Sequence, residues 1–364
     1  MQYLMSQLIV TFVVAGGSLL SSSLMAQSRQ PANGFTSIAV QTAIALPADI
    51  RHPEGLASNP ANGDLYVGTF DAREPANARN NQVLRYSAGG KLLARYSFGP
   101  QPLTGIEFAD GKLYILNFGA SKLQRLDASF TADSKLEDVV QFGALQPPTV
   151  KPRTVANPDG SADQVSYGSV GFPAINGMVF DAEKNLYVSD SFQGAIYRIE
   201  RATTCAPCSV SVVSRDPLLA TAGYLPFGAN GLAFGKTPGV LYICNAGDNR
   251  LLRMSLASGE VTVMTESLPG ADGLMFHGGL LWVVANQADV VLGLDENGLT
   301  RVRAGSFGGI AGDGSPKALL FPASTAVSGQ YMYVTNLALP LTPAAGDEWE
   351  ERVTRWNLAR FKLP

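Results

Sequence analysis

The sequence predicts an all-β protein, a six-bladed β-propeller, and the main observation is a phrase repeated six times. In each copy a small or polar residue, often followed by Gly, precedes an apolar run, a short turn and then Leu-Tyr-Val or a close variant. A period of roughly 40–50 residues built from short β segments is typical of propeller blades and not of helical solenoids. The residue before the Gly position, called here the marked residue, is in turn Glu54, Thr104, Asn176, Asn230, Asp272 and Ala323.

Each copy is predicted to contain three or four antiparallel strands. The first two are joined by residues typical of hairpin turns, such as Asn62-Gly63 and Gly278-Gly279. Residues after the turn are β-branched or aromatic, which favours a strand. Many copies then continue into a third segment that combines aliphatic residues with Arg or Lys, for example residues 251–254. Six copies of three or four strands give six blades around a central tunnel.

The two ends of the chain are predicted to close the ring, because an open blade would leave unpaired strand edges. Thr36–Val40 has no blade of its own, so this N-terminal strand is expected to complete the last blade. Val353–Leu358 is expected to form the third strand of that blade. The propeller therefore spans residues 36–364. A longer step between the second and third copies predicts an inserted loop at about residues 131–173, either a cover over one mouth of the tunnel or a solvent-exposed addition.

The composition narrows the classes of partner. Apolar residues make up 46% of the chain and charged residues only 16%, with a net charge of −3, which indicates a globular protein and not a disordered one. No cluster of Lys and Arg is present, so nucleic acid and anionic membrane surfaces are poor candidates as partners. A small-molecule substrate is the expected ligand, and the sequence leaves the oligomeric state open.

The N-terminal segment indicates export. Residues 1–26 contain no charged side chain and include an apolar stretch that is short and interrupted by Gly, so they are predicted to be a signal peptide. The mature protein is then periplasmic or secreted and has no stable membrane insertion. The alternative is that the same segment remains as an N-terminal membrane anchor.

The three cysteines are predicted to divide into a pair and a single thiol. Cys205 and Cys208 lie on a predicted loop, and in an exported protein this spacing favours a local disulfide. Cys244 lies within a predicted strand, where a buried free thiol is expected.

The marked residues supply the candidate site. They hold equivalent places in successive blades, so they are expected to face the same region near one mouth of the tunnel. Four of them carry carboxylate or amide oxygens: Glu54, Asn176, Asn230 and Asp272. An all-oxygen set with two negative charges favours Ca²⁺, with Mg²⁺, Mn²⁺ or Zn²⁺ as alternatives. The opposing interpretation, that such pairs with Gly are only repeated turns, predicts one residue type in every copy, which is not observed.

The ordered motifs Pro-Glu-Gly, Asn-Gly, Asn-Gly and Asp-Gly resemble those of the SMP-30/gluconolactonase family of six-bladed propellers, whose relations include regucalcin-type lactonases and diisopropylfluorophosphatase-like phosphotriesterases. The resemblance spans about residues 51–334. It implies that the four oxygen-bearing residues bind a divalent metal and that Asp272 also acts on the substrate as base or nucleophile. Thr104 matches a blade that supplies no ligand in the family. The insertion before Asn176 departs from the pattern and leaves substrate size and identity open.

These observations predict an exported, metal-dependent hydrolase of lactones or related esters. The cation would polarise the substrate carbonyl, and Asp272 would act beside it. His52 and Thr104 are further candidates for the wall of the substrate pocket. Two alternatives remain open: a phosphotriesterase that uses the same site, and a non-catalytic propeller of the NHL-repeat type that binds a ligand or a protein on its face.

Overall fold

A computed structural model describes residues 34–146, 153–165, 172–221, 223, 225–341 and 348–364. Within it, Phe35–Pro364 forms one compact unit. The predicted signal segment, residues 1–26, lies outside the described residues. The architecture is a six-bladed β-propeller, as the sequence predicted, in which each blade is a sheet of at least four strands. No helix in the described ranges is both long and apolar enough to cross a membrane.

The first half of the chain forms two N-terminal strands, three blades and an inserted hairpin. The strands that open the chain are β1 (Thr36–Ile38) and β2 (Gln41–Ala45). The first blade contains β3 (Pro53–Ser58), β4 (Leu65–Thr69), β5 (Asn81–Tyr86) and β6 (Leu92–Gly99). The second contains β7 (Leu103–Ala109), β8 (Lys112–Asn117), β9 (Lys122–Asp127) and β10 (Glu137–Gln141). The inserted hairpin is β11 (Arg153–Ala156) and β12 (Ala162–Val165), and the third blade is β13 (Ile175–Phe180), β14 (Leu186–Asp190), β15 (Ala195–Ile199) and β16 (Val210–Ser214).

The second half forms the other three blades. The fourth contains β17 (Ala229–Phe234), β18 (Val240–Asn245), β19 (Arg250–Ser255) and β20 (Val261–Thr265). The fifth contains β21 (Ala271–His277), β22 (Leu280–Ala285), β23 (Val290–Leu294) and β24 (Thr300–Ala304). A hairpin of β25 (Phe307–Ile310) and β26 (Pro316–Ala318) precedes the sixth blade, which contains β27 (Pro322–Ser328), β28 (Tyr331–Asn336) and β29 (Asn357–Lys362). The short 3-10 helices are Ala76–Ala78, Phe118–Ala120, Pro217–Leu219, Asn286–Ala288 and Trp349–Arg352.

Closure of the ring uses residues other than those predicted. The outer position of the sixth blade is filled by β2, which runs antiparallel to β29, and not by Thr36–Val40. Instead β1 pairs in parallel with β24 and adds a fifth strand to the fifth blade. The third strand of the sixth blade, predicted at Val353–Leu358, also begins later in the chain. Residues 349–352 form a 3-10 helix and Trp356 packs against His52, so the last strand begins only at Asn357.

The insertion is shorter than the predicted range of about 131–173. Glu137–Gln141 falls within that range, yet it is β10, the fourth strand of the second blade, with Val139 and Val140 buried. The hairpin of β11 and β12 carries exposed residues such as Thr154 and Gln164. Residues 147–152 and 166–171 of the predicted insertion lie outside the described residues.

The Leu-Tyr-Val motif is apolar throughout because both faces of its strand are buried between neighbouring blades. In the first blade, Leu65 and Val67 pack in a cluster shared with the sixth blade, where they meet Tyr333. Tyr66 points to the other face and packs with residues of the second blade such as Leu113. Alternate residues of a strand face opposite sides of its sheet, so each copy of the motif joins two blades.

The Gly that follows the marked residue in five of the six repeats allows the first strands of adjacent blades to approach closely. These strands contact one another in a closed ring, with β27 next to β3. A Cβ atom placed on Gly177 would overlap the carbonyl oxygen of Asn230 and lie 2.9 Å from its carbonyl carbon. Gly231 meets the carbonyl oxygen of Asp272 in the same way. The Gly in one blade is therefore required by the marked residue of the next blade.

Candidate functional site

The marked residues lie at β-bulges. In every first strand the pairing register shifts there: in the first blade Pro53 pairs with Thr69, and the next paired residue is Leu56, opposite Val67. The same shift occurs in the first strands of the other five blades. A bulge changes the direction in which a side chain leaves the strand. Because the six bulges lie at equivalent places, they turn the six marked side chains in a direction that regular strand pairing would not allow.

The structure brings the four oxygen-bearing marked residues together. Glu54, Asn176, Asn230 and Asp272, named here the oxygen ring, are all buried and line the same two cavities. One cavity, of about 130 Å³, continues along the tunnel between the first strands. The other, named here the mouth pocket, lies among loops that follow the second strands. The oxygen ring thus separates the tunnel from one of its mouths.

Glu54 is the least compensated member of the oxygen ring. Its Oε2 atom is buried and has no hydrogen-bond partner among the described residues. Burial, and then the negative charge of Asp272, raise the pKa of Glu54 well above its usual range. A buried carboxylate costs free energy unless it is paired, protonated or bound to a cation.

Asp272 is also buried, but it has partners. Burial raises its pKa to about 7, and side-chain hydrogen bonds from Asn286 and Asn230 act in the opposite direction. The amide Nδ2 of Asn286 donates to Asp272 Oδ2 at 3.2 Å. Two buried carboxylates side by side, each with a raised pKa, form a site where a positive charge would be strongly stabilised.

Two supporting residues were not identified from the sequence. Ser191 accepts a hydrogen bond from Asn176 Nδ2 at 3.2 Å and donates to the carbonyl of Ala229 at 2.6 Å, and Asn286 supports Asp272. Both occupy the place directly after the second strand of their blade. The residues at this place in the six blades are Phe70, Phe118, Ser191, Ala246, Asn286 and Leu337. Variation at this second repeated position was the signal that could have found them.

The recurrent Asn or Asp that ends many second strands has a structural role. Asn117 Oδ1 accepts from the backbone of Ala120, and Asn245 Oδ1 accepts from the backbone of Asp248. Asp190 receives three backbone hydrogen bonds, and Asn336 receives one from Leu320. These side chains cap turns within or between blades.

Thr104 and His52 occupy different places. Thr104 is buried and lines the mouth pocket, and its hydroxyl donates to the carbonyl of Ile175 at 2.9 Å. His52 is in the wall of neither cavity. Its Nδ1 lies 3.0 Å from the carbonyl oxygen of Leu337, its ring packs edge-on against Trp356, and burial lowers its pKa. His52 therefore supports the loop that carries Leu337.

The donor set fits a hard divalent cation. Glu54 Oε2 is buried without a partner, and Asp272 supplies a second carboxylate beside it. The Nδ2 atom of Asn176 is engaged by Ser191, so its amide oxygen is the atom available as a ligand. Such oxygens suit Ca²⁺ or Mg²⁺. Across the described residues, no group of three or more His, Cys, Asp or Glu side chains could hold a metal, so any cation here depends on the amides.

The cysteines form one bonded pair and one single thiol, as the sequence predicted. Cys205 and Cys208 form a disulfide, and Cys244 is a buried free thiol. Burial, and then the negative charge of Asp272, raise the pKa of Cys244 well above its usual range. Cys244 is therefore uncharged in this setting.

The tunnel beyond the oxygen ring holds one further acidic residue that the sequence did not single out. Glu107 lines the tunnel cavity, and burial raises its pKa to about 7. It lies three residues after the marked residue of the second copy, a place that is apolar in the other five copies, so its charge was the signal that could have found it.

Comparisons with known proteins show the same fold. No protein-family model matches the sequence, and no curated protein matches it. A luciferin-regenerating enzyme is 15% identical with a TM-score of 0.58, over 89% of this chain and 95% of that one. The calcium-binding protein regucalcin from Agrobacterium tumefaciens is 14% identical with a TM-score of 0.56, over 90% and 95%. A protein assigned as a gluconolactonase is 16% identical with a TM-score of 0.51, over 89% and 97%. The chain thus shares the β-propeller fold of these three proteins.

Proposed function

We propose that the oxygen ring binds a divalent cation, Ca²⁺ before Mg²⁺, Mn²⁺ or Zn²⁺, and that the protein is a metal-dependent hydrolase of lactones or related esters. The observation that carries the proposal is the partnerless, buried Oε2 of Glu54 beside the buried carboxylate of Asp272. A cation would satisfy both groups. The structural likeness to a calcium-binding regucalcin supports calcium as the first choice.

The chemistry follows from the position of Asp272 at the mouth of the tunnel. When bound, the cation would polarise the carbonyl oxygen of the substrate and offset the charge of the carboxylates. Asp272 accepts a proton from a water molecule whose oxygen forms a bond to the carbonyl carbon. The bond from that carbon to the ester oxygen then breaks, and the departing oxygen takes the proton. One lactone and one water give one hydroxy acid. Asn286, hydrogen-bonded to Asp272, holds the carboxylate in place.

Glu54→Gln should weaken cation binding and leave the metal-free fold intact. The exchange keeps an oxygen at the same place, removes one negative charge and ends the burial of a partnerless carboxylate. In chelator we expect a melting temperature equal to or higher than that of the unchanged protein. With Ca²⁺ the unchanged protein should gain stability, about 2.7 kcal/mol at 100 times Kd, and the variant much less at the same concentration. Calorimetric Ca²⁺ titration and thermal melts measure both effects.

Thr104→Ala is the matched control for that experiment. Thr104 is a marked residue and lines the mouth pocket, but its hydroxyl is committed to the backbone of Ile175. The Ca²⁺ affinity of the Thr104→Ala variant should remain within about twofold of that of the unchanged protein. This is much less than a tenfold change, which corresponds to about 1.4 kcal/mol. A large loss of affinity in Thr104→Ala, or none in Glu54→Gln, would contradict the assignment of the ligands.

Activity is tested with a panel of lactones and a phosphotriester, each with added Ca²⁺ and with chelator. Lactone hydrolysis that chelator abolishes and Ca²⁺ restores supports the proposal. Turnover of the phosphotriester alone would assign the site to the other hydrolase class. Intact Ca²⁺ binding without turnover of any compound would favour a non-catalytic, NHL-type binding propeller.

Export is proposed with this function. The disulfide between Cys205 and Cys208 is the kind of bond that persists in oxidising compartments, the periplasm or the cell exterior. Cell fractionation with detection of the protein by antibody tests this. Recovery in the cytoplasm with both thiols free would contradict it, and recovery with membranes would favour an N-terminal anchor.

A further inference from the structure

The mouth pocket differs sharply in chemistry from the oxygen ring beneath it. Apart from the ring, its wall is formed mainly by large apolar side chains from several blades. The principal ones are Phe70, Leu225, Phe227, Phe321, Leu337 and Leu339. Most of them also belong to one hydrophobic cluster. A ligand that reaches the oxygen ring from this side must therefore pass along an apolar wall.

Few polar side-chain atoms of the pocket are free: in the described part of its wall, the buried ones without a hydrogen-bond partner are Glu54 Oε2 and Asn286 Oδ1. Among the described residues, the polar side chains of its wall are the oxygen ring, Thr104 and Asn286. The Thr104 hydroxyl is bonded to Ile175, and Asn286 Nδ2 is bonded to Asp272. A sugar lactone with several hydroxyl groups needs a hydrogen-bond partner for each group that leaves water, because each unpaired one costs about 1–3 kcal/mol. Outside the oxygen ring, the described wall offers one buried side-chain acceptor without a partner, Asn286 Oδ1, which is too few for such a sugar.

Aromatic contacts hold the wall in position. Phe118 packs edge-on against Phe70 and Phe172, with distances of 5.2 Å and 5.3 Å between the ring centroids. Phe192 packs against Phe227 at 5.2 Å. Phe172 directly follows the part of the insertion that lies outside the described residues, so the insertion ends on this network. Side chains fixed in this way form a preformed surface that loses little entropy when a ligand binds.

From these observations we infer that the substrate carries an apolar group, alkyl or aryl, beside the carbonyl that is hydrolysed, and that the apolar wall selects it. This inference rests on the proposed function, because it assigns the substrate class of the same site. The oxygen ring takes the ester group and the wall takes the apolar group. Sugar lactones, which are hydroxylated on every side, fit the ring and not the wall.

The magnitude of the selection follows from the area that is buried. Covering an alkyl or phenyl group contributes about 25 cal/mol for each Å² removed from water. Discrimination by an apolar pocket commonly amounts to about 10- to 200-fold. A phenyl-substituted γ-lactone should therefore have at least about a tenfold higher kcat/KM than the unsubstituted γ-lactone. The kcat/KM of the phenyl-substituted lactone should exceed that of gluconolactone by a larger factor.

The test compares these three lactones on the Ca²⁺-loaded full chain and on the variant Leu339→Asn. Leu339 is half-buried, so the exchange should be tolerated, and Asn keeps the branched arrangement of side-chain heavy atoms while it is smaller and polar. The preference for the phenyl lactone over the unsubstituted one should fall about five- to tenfold, as expected for losing part of an apolar contact. The same exchange at Leu299, which is 51% exposed on the fifth blade, is the matched control and should leave the preference unchanged.

A second measurement separates this inference from the proposed function. Calorimetry with 2-phenylcyclopentanone, an apolar ketone that cannot be hydrolysed, reports binding without turnover. Weaker ketone binding in Leu339→Asn, with no lactone hydrolysed by any form, would keep the apolar site and overturn the hydrolase. Chelator-sensitive hydrolysis that favours gluconolactone would keep the hydrolase and overturn the apolar substrate class. The comparison of gluconolactone with the apolar lactones needs only the unchanged protein, so this outcome does not depend on the folding of any variant.

Discussion

Asp272→Asn is expected to lower turnover by about 10²- to 10⁴-fold, the usual consequence of removing a general base. The amide keeps an oxygen in the ring, so Ca²⁺ should still bind, although more weakly because one negative charge is lost. Turnover is therefore to be measured at saturating Ca²⁺, with the metal content of the variant verified. Under these conditions KM should change far less than kcat.

Asn286→Ala separates the role of Asp272 as base from its role as ligand. Asn286 Nδ2 donates to Asp272 Oδ2 and touches no other member of the oxygen ring by hydrogen bond in the described contacts. Its loss should lower kcat by less than the loss of Asp272 itself, and kcat should be partly recovered in Asn286→Gln.

If Asp272→Asn kept nearly normal turnover with metal bound, the hydrolase assignment would give way to a binding propeller.

Gly177→Ala is expected to destabilise the fold by about 3 kcal/mol or more, at the upper end of the range for overpacked interiors. The added Cβ would overlap the carbonyl of Asn230, which is backbone and cannot move aside as a side chain could. Because Asn230 belongs to the oxygen ring, we also expect Ca²⁺ affinity to fall. Denaturant unfolding followed by fluorescence, together with Ca²⁺ titration of the folded fraction, measures the two effects.

The control for Gly177→Ala is Gly312→Ala. Gly312 is exposed, has no atom within 4 Å of an added Cβ and does not require a positive φ. The free energy of unfolding of the Gly312→Ala variant should differ from that of the unchanged protein by no more than about 0.5 kcal/mol, as for most surface substitutions. Equal stability of the two variants would refute the explanation given for the repeated Gly.

The repeats made the blades and the oxygen ring predictable. Each copy carries its own strand signals, and the marked residues sit at one place in every copy, so their convergence followed from the ring alone. The roles of Ser191 and Asn286 did not follow in the same way. Their blade-to-blade equivalents include Phe70 and Leu337, and a position that is apolar in most copies resembles a core position. The polar side chains of Ser191 and Asn286 are the departure from that apolar pattern, and their hydrogen bonds to Asn176 and Asp272 show their roles.

The strands at the two chain ends were less predictable because no repeat fixes their register. Thr36–Val40 has the β-branched pattern of a closing strand, yet Gln41–Ala45 occupies that place. Both segments pair with outer edges, β1 with β24 and β2 with β29, and an outer strand buries only part of its side chains. Where little apolar surface is buried, the hydrophobic pattern specifies register weakly.

The pairing of β2 with β29 also bears on how the protein is made. During synthesis β2 emerges more than 300 residues before β29, and until β29 is made β2 lacks the partner strand it has in the folded protein. Only Ala39 and Val40 separate it from β1, which in turn waits for β24. Contacts between segments so distant in sequence form slowly, and unpaired strands can associate with other chains in the meantime. A ribosome that stalls before residue 300 would therefore leave both strands without partners, and one that stalls between residues 305 and 356 would leave only β2 unpaired. We expect aggregation of such truncated chains to begin at these unpaired strands.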